Sequence, residues 1–331
     1  MSQPIFAGFA ISARHRLAQL GLASRELTLE QIRQGVILQV KQSCYDLLMA
    51  GKQMAVAKSR TAALAAHESD VHEFYANGLV PLNELLKAQV AHGDAVLQQH
   101  RAEAVVHHAR SALCLQLGRD YDATLAIAEA YPAITVLPDL KAQVDQALTD
   151  RPEIALLERS IESKASEQRV ANSDHYPQIE LIGRYQQDGD DPGAQNNGYA
   201  NQHNASLGVQ ARWTLFTFGK TRARSARAAA EQRALRQALE KMRDDIRLQV
   251  VQARLDLEVA AGNIDTAETA LNQAREHWRI TDRLYRQQLT TSTEVLDARS
   301  YLDRAESAFH EAHYGYGSAL ARLEWAIGRV N

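Results

Sequence analysis

The sequence predicts a mainly α protein with a small β part, and three observations support this fold class. A long segment occurs twice in tandem, because residues 3–118 align with residues 213–328 without a gap. All prolines lie at positions 4, 81, 132, 138, 152, 177 and 192, which leaves two long stretches free to form helix. Between the two copies, the apolar residues change from a period of 3.6 to a period of 2, which is typical of strands.

Each copy predicts a very long antiparallel helical hairpin. Its proline-free stretches are rich in Ala, Leu, Gln, Arg and Glu, which are good helix formers. They predict a helix of about 65 residues, a short turn and a second helix of about 37 residues, so the longer helix spans about 100 Å. In the first copy the turn is residues 77–81, where a glycine is followed closely by a proline. Its counterpart, residues 287–292, offers hydroxyls that can cap the second helix.

The region between the hairpins has a different character. We predict a first repeat at residues 1–118, an irregular connector at residues 119–150 and a second repeat at residues 151–328. A helix of about 25 residues opens the second repeat, because Pro152 is tolerated in a first turn, and it ends near Pro177.

Two alternating runs follow this helix, at residues 177–187 and 205–217. Each run has about the ten residues that cross an outer membrane as a tilted strand, with apolar residues on one face only. The polar loop at residues 188–198 separates them. A soluble half-buried hairpin would show the same alternation. The attachment favours membrane β-barrel strands, because the second run continues directly into a long helix and residues 3–8 align with its end.

The N-terminus also bears on the class of protein. The chain has no signal peptide and no apolar stretch of about 18 residues, which taken alone would indicate a cytoplasmic protein. Because residues 3–8 align with the end of a strand, we expect instead that the chain is an N-terminally truncated form lacking its first strand. Such a chain would leave open sheet edges, so we expect it to be non-functional until the missing part is restored.

Composition excludes several function classes. Hydrophobic residues make up 45% and charged residues 23% of the chain, and a net charge of −3 argues against a nucleic-acid partner. Cys44 and Cys114 form no CxxC motif, and the adjacent His107 and His108 point about 100° apart on a helix. Nucleophile-elbow, phosphate-loop, HExxH and dinucleotide motifs are missing from the sequence. We therefore predict no metal site, no cofactor and no enzymatic activity.

Several short motifs occur in a characteristic order along the chain. They are Pro4-Ile-Phe-Ala-Gly8, Tyr75-Ala-Asn-Gly-Leu-Val80, Arg151-Pro-Glu-Ile154, Tyr176-Pro-Gln-Ile179, Leu215-Phe-Thr-Phe-Gly219 and the segment from Tyr285 to Asp297. Together with the tandem hairpins, this order resembles the TolC outer-membrane efflux family over nearly the whole chain.

The resemblance implies a homotrimer whose subunits share one barrel in the outer membrane of a Gram-negative bacterium, with a coiled-coil tunnel extending into the periplasm. It implies a passive, gated exit duct of a tripartite efflux or type I secretion system. The implied partners are a periplasmic adaptor (membrane fusion) protein, an inner-membrane pump and outer-membrane lipid. It does not indicate the exported substrate.

The resemblance also implies roles for residues at the hairpin tips. Glu294 and Asp297 match carboxylates that form rings at the entrance of the tunnel and tune it for cations. Tyr285 and Glu84 match a tyrosine and a carboxylate that hold the tips closed, although Thr290 stands where an arginine often joins that network. The competing interpretation is that these carboxylates are ordinary solvated helix residues.

Adaptor contact is implied at the turns of both hairpins, by Gly78 and Leu79 in the first and by Gln288 and Leu289 in the second. A different class of protein also remains open, namely a soluble or periplasmic long-helix scaffold or the adaptor itself. An adaptor carries one helical hairpin within a β-rich chain, and a scaffold needs no alternating strands. This chain has two hairpins and two alternating runs, which favours the duct.

Overall fold

The structure is a computed structural model that describes residues 1–134, 137–187 and 203–329. Its elements in chain order are β1 (Ser2–Ala7), α1 (Ala10–Ala76), α2 (Leu82–Gln116), α3 (Leu140–Asp150), α4 (Pro152–Asn172), a short 3-10 helix (Ser173–His175), β2 (Gln178–Gln187), β3 (His203–Arg212), α5 (Lys220–Arg286) and α6 (Ser292–Ala326). The predicted mainly α fold with a small β part is confirmed. Within the described residues, no helix is both long and apolar enough to cross a membrane. The polar loop predicted at residues 188–198 lies outside the described residues.

The boundaries of the two helices in the first hairpin recur in the second hairpin at an offset of 210 residues. Helices α1 and α5 each have 67 residues and helices α2 and α6 each have 35, and every boundary of the second pair lies 210 positions after its counterpart (220 − 10 = 210). The backbone also repeats where the helices end. Gly78 at φ 72° corresponds to Gln288 at φ 60°, and Gly118 at φ 67° corresponds to Gly328 at φ 76°. Both copies therefore use the same left-handed helix stops, although Gln288 adopts this conformation without the freedom of glycine.

Two details of the sequence prediction were wrong. The connector is not irregular throughout, because α3 occupies its last 11 residues. The second alternating run ends as a strand at Arg212 rather than at residue 217. The physical reason is pairing: β2 begins at Gln178, whose partner is Arg212, so residues beyond 212 have no neighbour in the sheet.

Contacts divide the chain into two compact units, each built from segments of both copies. Unit 1 comprises Met1–Gln31 and Arg151–Asp245, and unit 2 comprises Ile32–Asp150 and Ile246–Asn331. The predicted division at residues 118 and 150 was based on the duplication of the sequence, whereas the two units are defined by contacts. The predicted division is therefore not tested by the units and stays a prediction.

In unit 1, β1, β2 and β3 form a three-stranded antiparallel sheet in that order. Leu181 pairs with Val209 and Gly183 with Leu207, so apolar residues of neighbouring strands share one face. Most of the alternate pairs are polar, such as Glu180 with Gln210 and Arg184 with Ser206, although Ile182 with Gly208 lies among them. Leu207 and Val209 are 78% and 67% exposed, which leaves the apolar face without a partner inside the unit. One apolar and one polar face is the arrangement of a membrane strand.

In unit 2, the hairpin helices pack in antiparallel fashion. Leu47 of α1 packs with Val106 and Leu113 of α2 in one core cluster, which also contacts Leu125 and Ile127 of the connector. Val71, further along α1, packs with Leu85 near the start of α2. The sequence order is therefore reversed between the two helices, as the hairpin prediction requires.

The connector is held against α6 by rings. Tyr131 stacks on His313 with ring centroids 4.2 Å apart, and the Tyr131 hydroxyl lies 2.7 Å from Nδ1 of His310. Burial lowers the pKa of both histidines, and the neighbouring Lys52 ammonium lowers the pKa of His310 further. Both rings therefore favour the neutral form, which suits stacking against a tyrosine.

Candidate functional site

The predicted gate residues lie around the hairpin turns of unit 2, and Tyr285 is the most deeply buried of them. It is 4% exposed near the end of α5 and packs with Val71, Leu85, Ala88 and Val295. Residues from all four long helices therefore meet in this cluster, which we call the tip cluster. Its rings include His67 and Phe74, whose centroids lie 4.8 Å and 5.8 Å from that of Tyr285.

The Tyr285 hydroxyl is buried close to two carboxylates. Burial raises its pKa, the carboxylates of Glu84 and Asp70 raise it further, and the hydroxyl of Ser292 lowers it. The hydroxyl is buried, yet it makes no hydrogen bond of normal geometry within the described part of the chain. A buried unpaired hydroxyl is costly to keep, by about 1–3 kcal/mol.

Glu84, in the first turn of α2, has one paired and one unpaired carboxylate oxygen. Its Oε1 accepts a hydrogen bond from Nζ of Lys87 at 3.0 Å, and its side chain is 19% exposed. Its Oε2 is buried and accepts no hydrogen bond from any described residue. The tip thus contains a buried hydroxyl and a buried carboxylate oxygen, neither with a hydrogen-bond partner of normal geometry among the described residues, and the Glu84 carboxylate raises the pKa of the hydroxyl.

Glu294 and Asp297 are exposed on the first turns of α6. The backbone N–H of Glu294 donates to Oγ1 of Thr291 at 3.4 Å, so a hydroxyl caps this helix as the sequence indicated. Three positions apart, both carboxylates lie on one side of the helix. They are accessible to ions, which a selectivity ring requires.

The turn residues predicted to contact an adaptor are also exposed. Leu79 is 55% exposed and Leu289 is 70% exposed, one in each hairpin turn, and each directly follows the residue of positive φ, Gly78 or Gln288. Each hairpin turn therefore presents one exposed leucine at the equivalent position.

Sequence reasoning missed His67, whose ring packs against Tyr285 of the tip cluster. It is 5% exposed, and its Nε2 lies 2.7 Å from Oγ of Ser292 at the start of α6. Burial lowers the pKa of His67, although the carboxylates of Asp70, Asp282 and Glu84 act in the opposite direction. No local signal marks this contact, because its partners are separated by 225 positions in the sequence.

A buried charge cluster was missed as well. Arg299 and Asp303 of α6 are 5% and 7% exposed, and Nη2 of Arg299 lies 2.6 Å from Oδ1 of Asp303. Nε of Arg60 on α1 lies 3.5 Å from Oδ2 of the same carboxylate. The Arg299 guanidinium also lies over the Trp278 ring, at 5.6 Å from its centroid. The repeat equivalents of Arg299 and Asp303 are Gln89 and Gly93, so the alignment of the two copies did not indicate this charge cluster.

Two tandem helical hairpins that share a buried tip cluster, together with a sheet that has one mainly apolar face, are typical of the long-helix ducts of outer membranes. A family profile described as "Outer membrane efflux protein" matches residues 143–329. TolC of Vibrio cholerae serotype O1 is 22% identical over 304 residues, which cover 90% of this chain and 69% of TolC.

Solved structures show the same fold. A membrane protein from Pseudomonas aeruginosa has a TM-score of 0.87 at 17% identity, covering 99% of this chain and 73% of its own. The outer membrane protein VceC from Vibrio cholerae has a TM-score of 0.83 at 17% identity, covering 99% of this chain and 78% of its own. The outer membrane channel CmeC of Campylobacter jejuni has a TM-score of 0.85 at 17% identity, covering 99% of this chain and 69% of its own.

The chain belongs to the outer membrane efflux protein family. The predicted family, its efflux function and its outer-membrane location are confirmed, and the soluble scaffold is disfavoured. The family is one of trimeric ducts that act with adaptor proteins and inner-membrane pumps, rather than one of enzymes.

Proposed function

We propose that this chain forms a homotrimeric, passive exit duct, entered at the hairpin tips and gated there. The observation that carries the proposal is the tip itself, where two equivalent turns each present an exposed leucine, the second hairpin adds two exposed carboxylates, and a tyrosine is buried between the helices. A duct does no chemistry, so its residues act by charge, by packing and by holding the tips closed. Substrate would be delivered by an inner-membrane pump through a periplasmic adaptor that contacts Gly78, Leu79, Gln288 and Leu289.

Exposed apolar residues on the long helices of unit 2 support association with further copies. Leu86, Val90 and Leu97 of α2 are 50–65% exposed and follow each other at intervals of four and seven residues. Leu248, Leu255 and Val259 of α5 are 54–63% exposed at intervals of seven and four. Such spacing makes an apolar seam on a helix, which is the pattern that packs against another helix.

We expect Glu294 and Asp297 to set the charge preference of the duct. In a trimer each residue would occur three times around the entrance and attract cations by its field. Changing both to alanine should lower the ratio of cation to anion permeability on the order of twofold to tenfold. The measurement is the reversal potential of the purified protein in planar bilayers under a salt gradient.

The matched control is Asp120→Ala with Asp122→Ala, which removes the same charge from exposed positions of the connector. This control should leave the reversal potential unchanged. An equal shift in both double variants would show that total charge, and not the tip carboxylates, sets the preference. The duct itself would be refuted if neither this chain nor a form with a restored N-terminal part opened pores.

We propose further that Tyr285 and Glu84 form the closing contact of the assembled duct. Both atoms are buried in one tip without a partner of normal geometry, and the Glu84 carboxylate lies close enough to raise the pKa of Tyr285, so we expect the assembled duct to join them. A hydrogen bond to a charged acceptor is worth about 1.5–3 kcal/mol, so Tyr285→Phe should raise the ratio of open to closed channels about tenfold to hundredfold. The measurement is open probability at a fixed voltage.

Tyr75 is the repeat equivalent of Tyr285 and is 39% exposed, so Tyr75→Phe is the matched control. It should leave the open probability unchanged. Glu84→Gln should reproduce the effect of Tyr285→Phe in part, since an amide oxygen accepts a weaker bond. Unchanged gating in both Tyr285→Phe and Glu84→Gln would exclude this contact as the latch.

A further inference from the structure

A histidine side chain is enclosed where the two hairpins meet at their tips. His67 of α1 is 5% exposed, and its ring centroid lies 4.8 Å from that of Tyr285 on α5. Its Nε2 lies 2.7 Å from Oγ of Ser292, which is itself buried in the first turn of α6. One imidazole of the first hairpin thus contacts both helices of the second. Any movement of the second hairpin away from α1 would therefore expose this ring to water.

Three carboxylates act on the imidazole of His67 through their charges, one from each of α1, α2 and α5: Asp70, Glu84 and Asp282. Two of them are paired with cations on their own helices. Nζ of Lys87 lies 3.0 Å from Oε1 of Glu84, and Nε of Arg286 lies 3.2 Å from Oδ2 of Asp282. The group that α6 places against the ring is the neutral hydroxyl of Ser292. The imidazole is therefore enclosed by apolar and neutral groups, with carboxylates at their edge.

Enclosure of His67 and protonation of His67 oppose each other. Burial lowers the pKa of His67, although the three carboxylates act in the opposite direction. In an open tip, water would solvate the imidazolium, and the pKa would return towards the ordinary value of about 6.5. The open tip therefore binds the proton more readily than the closed tip does. It follows that His67 favours the closed tip above about pH 6.5, and that this preference is lost as the pH falls below that value.

The repeat equivalent of His67 is also a histidine, but it lies in a different environment. His277 of α5 is exposed, and its ring centroid lies 6.1 Å from that of Tyr301 on α6. Both copies thus carry a histidine at the same position of the hairpin, enclosed in the first and accessible to water in the second. Of the two, His67 is the one that must lose its hydration when the tips close.

We propose that His67 makes the entrance of the duct open in response to acid, because the neutral ring joins the two hairpins and the protonated ring favours their separation. The inference rests on the proposed function, since it assigns a chemical signal to the gate at the hairpin tips. It is separate from the proposed contact between Tyr285 and Glu84, because the hydrogen-bond partner of His67 is Ser292. The ligand of this switch is the proton.

The test is open probability in planar bilayers at about pH 7.5 and about pH 5.5, on either side of the ordinary imidazole pKa. It uses the form of the protein that opens pores. The wild type should show a ratio of open to closed channels about threefold to tenfold higher at the lower pH. His67→Gln stays neutral at both values and keeps an amide that can bond to Ser292, so it should lose this response. His277→Gln is the matched control and should respond to pH as the wild type does.

An equal response to pH in the wild type and in His67→Gln would overturn the proposal. A lower open probability at the lower pH would overturn it as well, because the imidazolium would then be held by the three carboxylates and would close the tips. His67→Phe separates titration from packing, since it keeps a ring against Tyr285 but takes up no proton. It should also lose the response, and a response that persists in this variant would exclude His67 as the sensor.

Thermal unfolding of the same preparations keeps this inference apart from the duct. The unfolded chain also binds a proton at His67 more readily, so lowering the pH should reduce the melting temperature of the wild type more than that of His67→Gln. If a variant is open at both pH values, the loss of this difference supports the switch and its persistence overturns it. If the wild type conducts but neither gating nor melting depends on His67, the switch fails and the duct stands. If no form opens pores, the duct fails and the switch fails with it.

Discussion

Replacing Asp303 by alanine is expected to lower the free energy of unfolding by about 3–5 kcal/mol. The carboxylate is the anion shared by Arg299, which is almost fully buried, and by Arg60, whose side chain is 34% exposed. Without it, Arg299 remains charged in a poorly solvated site against the Trp278 ring. An uncompensated buried charge is among the most destabilising changes that a single substitution can make.

Geometry shows why charge rather than hydrogen bonding dominates this cluster. Neither carboxylate oxygen of Asp303 accepts a hydrogen bond of normal geometry among the described residues, despite the 2.6 Å approach of Arg299. Burial raises the pKa of Asp303, while the guanidinium groups of Arg299 and Arg60 lower it. The desolvation of the carboxylate is therefore only partly offset by its partners.

A pair on the surface serves as the matched control. Nη2 of Arg279 lies 2.6 Å from Oε1 of Glu276, but both side chains are about half exposed, at 52% and 54%. Glu276→Ala should therefore cost less than about 1 kcal/mol. Thermal unfolding followed by helical circular dichroism in detergent would compare the two variants.

The double variant Arg299→Met, Asp303→Leu tests whether Asp303→Ala destabilises the protein because side-chain packing is lost or because Arg299 is left as an unpaired buried charge. Replacing both members by apolar side chains of similar volume should restore most of the stability lost in Asp303→Ala. If the double variant is as unstable as Asp303→Ala, packing and not charge explains the loss. If Asp303→Ala melts as Glu276→Ala does, the carboxylate is better solvated than its burial indicates.

The helices could be predicted from the sequence because their limits are set by local chemistry. Pro81 and Gly78 mark the first turn, and Thr291 caps the helix after the second. The alignment of the two copies then transfers each limit from one hairpin to the other, even to Gln288, where the glycine signal is missing. Signals of this kind act over a few residues and need no knowledge of the tertiary fold.

The faces of the strands could also be predicted from local signals, but the residue at which β3 ends could not. Alternation fixes which side chains share a face. The length of a strand also depends on whether its neighbour continues, and here β2 starts only at Gln178. The residues from Trp213 onward keep an alternating pattern without a pairing partner.

In the candidate site, too, residues marked by local motifs could be predicted and residues defined by contacts between distant helices could not. Tyr285, Glu84, Glu294 and Asp297 could be named from family motifs at the turns, and their assigned roles stay predictions. His67 and the Arg299–Asp303 pair could not be named, because their partners come from other helices far along the chain. Which residues face each other there depends on how the long helices pack side by side, and the sequence of one helix does not specify that.

Replacing Gly317 by valine is expected to cost about 3 kcal/mol, because three elements of unit 2 converge on this position of α6. A Cβ added here would lie 2.6 Å from Cζ of Tyr45 on α1 and 2.7 Å from Cγ of Pro132 in the connector. Both neighbours are rings, so a larger side chain must push α1 and the connector away together. The expected result is a lower melting temperature and faster proteolytic cleavage within residues 119–139.

Gly315 provides the matched control, since it lies on the same helix two positions earlier and an added Cβ would meet no heavy atom within 4 Å. Gly315→Val should therefore stay within about 0.5 kcal/mol of the wild type, because valine is slightly better than glycine in a helix. The difference between Gly315 and Gly317 could not be predicted from the alignment of the two copies. The repeat equivalent of Gly317 is the exposed His107, so the requirement for glycine comes from the connector and Tyr45 rather than from the hairpin. Equal effects of the two valines would mean that helix propensity alone governs α6 and that the connector does not press on Gly317.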